Sequence, residues 1–156
     1  MIIFSFQHNL TEKVLKGIDV GEKFSVLSHE VYISKFVQQL LKSNPPFVLG
    51  LGIYSGRDND TLRIETVCSN KFKNTVQGPV LYQRSITPFL QPLNKSKLAQ
   101  GLGNSYCNLI SFLIMDTIEK QKLQTKYTFI HVPKNFDIGT AINEINSMLT
   151  QSRYLL

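Results

Sequence analysis

Cysteine is scarce in this 156-residue chain: Cys68 and Cys107 are the only two. Two thiols cannot make a disulfide framework, and their separation fits no zinc motif. In a reducing compartment each is therefore either a small buried apolar residue or a reactive thiol. Long apolar runs are also lacking. Neither Met1-Ile2-Ile3-Phe4 nor Phe112-Leu113-Ile114-Met115 could cross a bilayer. The start has no basic residue before its apolar stretch, so it does not read as a signal peptide. A soluble cytoplasmic protein is the expectation, with no membrane partner. Acidic residues are few, 11 against 17 Lys and Arg, which gives a net charge of +6. That excess would suit an anionic partner. The basic residues are scattered, however, and the densest group, Lys120 to Lys126, holds three lysines among polar residues. A solvated basic surface follows, with no nucleic acid bound. Repeats, low-complexity tracts and linkers are absent too, so residues 1–156 read as one domain.

What remains is an alternation of strand-like and helix-like segments. Ile2 to Phe6 is a short β-prone run, and Phe24 to Leu27 a weaker one. Val31 to Leu41 has helical spacing and stops at Asn44-Pro45-Pro46. Phe47 to Gly52 is apolar without alternation, as a strand buried on both faces should be. Leu62 to Cys68 reads as a further strand, and the segment from Asn70 to Asn104 has no clear pattern. A helix is predicted to about Lys122, capped by Asn104 or Ser105. Tyr127 to Val132 is a strand closed by Pro133, and Ile138 to Leu149 an amphipathic helix. This order predicts a three-layer α/β/α sandwich around a mostly parallel sheet. Functional groups in such folds gather beyond the carboxyl ends of the strands.

Three residues at the ends of separate elements could work together. Cys107 falls in the first turn of its helix, where unpaired amides and the dipole favour a thiolate. His131 ends a strand. Glu65 lies in an apolar strand, where a carboxylate needs a partner. A Cys, a His and a Glu so placed meet the requirements of nucleophile, base and orienting acid. Taken singly, each also suits a purely structural role. Gly50-Leu51-Gly52 with Gly56 does not make a dinucleotide loop, since the third glycine is misplaced and Asp58-Asn59-Asp60 would repel a pyrophosphate. Asp58 and Asp60 are too sparse for a calcium loop, and His8 and His29 have no partner at ligand spacing. No metal and no cofactor are expected.

Five ordered motifs resemble the pyroglutamyl peptidases, also called pyrrolidone-carboxylate peptidases. They are Gly52 to Arg57 (Gly-x-x-x-Gly-Arg), Glu65 with Asn70, Gly78-Pro79-Val80-Leu81-Tyr82, Gly103 to Asn108 around the cysteine, and Phe129-Ile130-His131-Val132-Pro133. The resemblance implies a catalytic triad of Glu65, Cys107 and His131. It also implies release of N-terminal pyroglutamate from a peptide with a blocked N-terminus, and a homo-oligomer. The ring of the substrate would be held by Phe6, by backbone around Ile53, and beside Tyr106. The chain departs from the family in two places. Phe6 is followed by Gln7-His8-Asn9-Leu10 rather than by a second phenylalanine and its loop. Lys71-Phe72-Lys73-Asn74 stands where the family carries a substrate-binding arginine, leaving Lys73 or Arg84 to replace it. The alternatives are an amidohydrolase with the same triad and another substrate, or a weakly catalytic binding or scaffold protein on this fold.

Overall fold

The computed structural model describes residues 1–57 and 60–152. Asp58 and Asn59, weighed above for phosphate and calcium binding, lie outside the described residues. The chain runs β1 (Ile2–Phe6), α1 (Leu10–Gly17), β2 (Glu22–Val26), α2 (Glu30–Lys42), β3 (Phe47–Tyr54) and β4 (Leu62–Glu65). Short strands follow, β5 (Val67–Ser69), β6 (Lys71–Phe72), β7 (Thr75–Val76), β8 (Gln83–Ser85) and β9 (Ser96–Ala99). The chain then closes with α3 (Tyr106–Gln121), β10 (Lys126–Pro133) and α4 (Ile138–Ser152).

Six strands form one sheet in the order β2-β1-β3-β10-β4-β9. The first four are parallel to one another. Strand β4 runs antiparallel to β10, and β9 follows β4. The sheet is thus mostly parallel with a reversed edge pair. Helices α1 and α4 pack together on one face and α2 and α3 on the other, giving the three layers that the sequence predicts. The inner strands β1, β3 and β10 are buried on both faces, which is why their sequences are apolar without alternation.

Side-chain alternation divides the core in two. Ile3, Leu49, Leu51, Ile64, Ile130 and Val132 point toward α1 and α4. Phe4, Phe6, Phe129 and Cys107 belong to the opposite core, beneath α2 and α3. On that side β3 presents Gly50 and Gly52. A Cβ at Gly50 would stand 2.5 Å from the Phe129 ring and 2.6 Å from Phe4. The two glycines therefore cut a slot in the sheet that larger neighbours fill.

Two expectations are corrected. Leu62 to Cys68 is not one strand: it breaks at Thr66, whose amide bonds to Ala99 O at 2.9 Å. Helix α1 has no counterpart in the segments predicted above. Asn9 caps it, accepting from the Thr11 amide at 2.8 Å, while Val14 and Leu15 are buried against the sheet.

Candidate active site

Helix α3 begins after a turn in which Gly103 has φ +72°, a conformation that favours glycine. Two asparagines fasten this turn to the segment preceding it. Asn104 donates from Nδ2 to Lys73 O, and the Lys73 amide donates to Asn104 O, both at 2.6 Å. Buried Asn108 accepts from the Ser69 amide at 2.9 Å and donates back to Ser69 O at 2.9 Å. Asn70 closes the loop that follows by bonding to Gln77 O, Val80 O and the Tyr82 amide. The asparagines of the sequence motifs thus serve the scaffold of the turn. Ser105 is the N-cap by position, yet its side chain bonds to no helix amide.

The turn drives Cys107 against the sheet. A Cβ at Gly52 would lie 2.5 Å from Cys107 Sγ and 2.7 Å from the tip of the Phe129 ring, so the missing side chain makes the sulfur's berth. Gly52 is the register partner of His131 on the adjoining strand. His131 follows Phe129 by two residues and so faces the same layer; their rings meet edge-on with centroids 5.2 Å apart. His131 Nδ1 lies 2.8 Å from Glu65 Oε1 in a buried hydrogen bond. With the proton on Nδ1 donated to the carboxylate, Nε2 is left as the basic nitrogen. No hydrogen bond joins Cys107 to His131 among the described residues; the sulfur stands over the strand position beside the ring.

The reversed direction of β4 sets the depth of Glu65. Although it ends its own strand, Glu65 lies opposite Phe129, one level deeper in the sheet than His131, while Arg63 lies directly across from the histidine. Glu65 is wholly buried, and its Oε2 has no hydrogen-bond partner among the described residues. Its Oε1 also accepts from Arg63 Nε at 3.2 Å.

Solved structures with this architecture span nearly the whole chain. Pyrrolidone carboxyl peptidase from Thermococcus litoralis superposes with a TM-score of 0.76 at 16% identity, over 99% of this chain and 93% of that one. Pyroglutamyl peptidase I from Bacillus amyloliquefaciens gives 0.75 at 15% identity, over 97% and 96%. The Thermus thermophilus pyrrolidone carboxyl peptidase gives 0.73 at 13%, over 96% and 98%. The fold is that of the pyroglutamyl peptidases. No family model and no curated protein matches the chain.

Within this pyroglutamyl-peptidase fold the thiol is not ionised in advance. Burial pushes the Cys107 thiol up to about 12, and the nearby Glu65 carboxylate adds to the rise, against hydrogen bonds from Ser105 and the helix backbone. The helix terminus that favours a thiolate is outweighed by desolvation. Cys68 is likewise pushed up to about 12 by burial, with its Sγ 3.7 Å from Arg84 O on the neighbouring strand. It is a core residue.

The residues expected around the substrate are distributed unevenly. Phe6 is buried in the same core as Cys107. Ile53 alternates with Gly52 and pairs with Val132, so its side chain turns to the other layer. Its backbone lies beyond Ser5–Leu51, the last β1–β3 pair, where that edge of β3 has no ladder partner from β1. Tyr106 stacks 5.1 Å from Phe72 at the start of α3, and Lys73 Nζ lies 5.9 Å from the Tyr106 ring and 3.9 Å from Glu30. Of the two proposed stand-ins for an arginine, Lys73 is therefore at the Cys107 turn. Arg84 is not. It is clamped by Asp116 and Glu119 well along α3. A cavity of about 710 Å³ lies at the other end of the sheet, lined by Met1, Phe47 and Lys126 at the starts of their strands, and is remote from Cys107. Among the described residues no cluster of His, Cys, Asp and Glu could hold a metal ion. Arg63, which nothing in the sequence pattern singled out, is a site neighbour that pattern reasoning missed. Its clue was an arginine alternating with Glu65 on one face of a strand.

Proposed function

We propose that this chain is a cysteine peptidase that removes N-terminal pyroglutamate, with Cys107 as nucleophile, His131 as general base and Glu65 as the carboxylate that orients it. The observation carrying this reading is the buried 2.8 Å bond from His131 to Glu65 in the layer that holds the Cys107 sulfur. Because burial holds the proton on sulfur, the thiol is deprotonated as it attacks and not before. His131 Nε2 takes the proton while sulfur bonds to the pyroglutamyl carbonyl carbon. Amides of the Cys107 turn donate hydrogen bonds to the developing oxyanion. Collapse expels the peptide amine, which takes the proton back from His131, and water then hydrolyses the thioester. Lactam recognition falls to Phe6 and to the free backbone edge near Ile53, with Lys73 and Tyr106 at the rim.

The test is hydrolysis of a pyroglutamyl-linked fluorogenic amide by the parent and by Cys107→Ala. Turnover by the parent, abolished in the variant, supports the proposal; equal rates would refute the assignment of the nucleophile. A second reading keeps the triad and changes the substrate. It is favoured by the ion pairs that hold Arg84 away from the site, so that Arg84 cannot take the role the family gives an arginine. A panel of other N-blocked and cyclic amides separates the two, because only the second predicts a better substrate than pyroglutamyl amide.

A further inference from the structure

Glu65 is wholly buried, and burial of an uncompensated carboxylate charge is costly. Two groups could supply the opposite charge: a protonated His131, or Arg63. The guanidinium is well placed. Its Nε is 3.2 Å from Glu65 Oε1, the atom that also bonds to His131, and the side chain is only 13% exposed. Its Cζ sits 4.3 Å over the Tyr54 ring, which itself packs 5.9 Å from the His131 ring. The antiparallel register puts Arg63 straight across from His131. Among the described residues, the Cys107 thiol from α3 interacts with Glu65, and the ring of Tyr54 from β3 packs on both Arg63 and His131. On β9, Lys97 is the register partner of Arg63.

We propose that Arg63 is a positioning residue of the triad, which compensates the charge of Glu65 so that His131 stays neutral and able to accept the Cys107 proton. The inference rests on the triad reading above. The chemistry requires a neutral base, because a thiol that keeps its proton cannot pass it to an imidazolium. Without Arg63, the charge of the carboxylate would favour a proton on His131, at the expense of the base. Tyr54 fixes the guanidinium plane from the far side, so that its Nε meets the oxygen shared with the histidine.

The experiment compares Arg63→Met and Arg63→Lys in two ways. In a Cys107→Ala background, the titration midpoint of the His131 imidazole is followed by NMR. It is expected to rise by roughly one pH unit in Arg63→Met and to return with Arg63→Lys. In the active protein, the acid limb of kcat/KM on pyroglutamyl amide moves up by a similar interval in Arg63→Met. An unchanged midpoint in folded Arg63→Met overturns the proposal whatever its activity. A moved midpoint together with a parent protein that hydrolyses no pyroglutamyl amide upholds the role of Arg63 and refutes the peptidase reading instead. If Arg63→Met does not fold, Arg63→Gln, which keeps a donor and drops the charge, is read in the same way.

Discussion

A carboxylate with one oxygen shared by two donors and the other bare is sensitive to loss of charge but tolerant in shape. Glu65→Gln can keep its carbonyl oxygen toward His131 and Arg63 and put its amide where Oε2 has no partner. The variant should therefore fold. We expect kcat to fall roughly 10²–10⁴-fold, as when the orienting acid of a triad is neutralised. Stability should drop by roughly 1–3 kcal/mol because Arg63 is left as an uncompensated cation. Activity at saturating substrate and a urea titration check the two parts. A rate within threefold of the parent would remove Glu65 from the mechanism. The Cys107 thiol has its own consequence at this scale. Pushed up to about 12, it is protonated at neutral pH. Iodoacetamide should modify it slowly at pH 7 and about tenfold faster for each unit toward pH 10, read by peptide mass spectrometry. Slow labelling at pH 7 therefore does not separate an enzyme from a scaffold protein; acylation by substrate does.

Between elements, the contact that builds the site is the seating of α3 on β3. Gly52→Ala would set a methyl group 2.5 Å from the Cys107 sulfur, with backbone on one side and the Phe129 ring on the other. We expect a loss of about 1–3 kcal/mol from overpacking, and a larger relative loss of turnover, since the sulfur itself must move. Urea midpoints and kcat measured on the same preparation check both. The elements also explain what was legible in the sequence. The buried strands β1, β3 and β10 and the helices α2, α3 and α4 were readable because their apolar spacing is local. Glu65, Cys107 and His131 stand out in the sequence only in combination with their flanking motifs. The direction of β4 was not read, because strand direction depends on connections rather than on composition. Yet residues 55–61, which link β3 to β4, are too few for a parallel crossover, which needs a dozen or more residues. That length was the available signal for the reversed direction of β4. Helix α1 went unread because it is a single short element between turns, although Asn9 with Leu10, Val14 and Leu15 carries both the cap and the spacing. The segment from Asn70 to Asn104 holds strands of two to four residues. Its order comes from Asn70 and Asn108, whose bonds to distant backbone have no periodicity.

For the molecule as a whole, the buried thiols link folding to alkaline pH. Cys68 and Cys107 both have raised values, from 9.0 to about 12. Unfolded thiols ionise first, so stability is held below pH 9 and lost as the pH climbs from there toward 12. The loss is about 1 kcal/mol per thiol per pH unit. Tyr127, fully buried and bonded to Ser111, is also raised by desolvation and adds to the loss above pH 10. The urea midpoint should fall between pH 8.5 and 10.5 more steeply in the parent than in Cys68→Ala, and an equal slope would contradict the burial of Cys68. The site itself occupies the carboxyl end of the parallel strands, as the fold class requires. All of this bears on one claim, that the sulfur of Cys107 receives the acyl group. Its most direct test is an acid quench during turnover of a pyroglutamyl amide, followed by intact-mass and peptide analysis. The account predicts one pyroglutamyl group, carried on Cys107 and absent from Cys107→Ala. Turnover with no such adduct in the parent, and undiminished in Cys107→Ala, would contradict it.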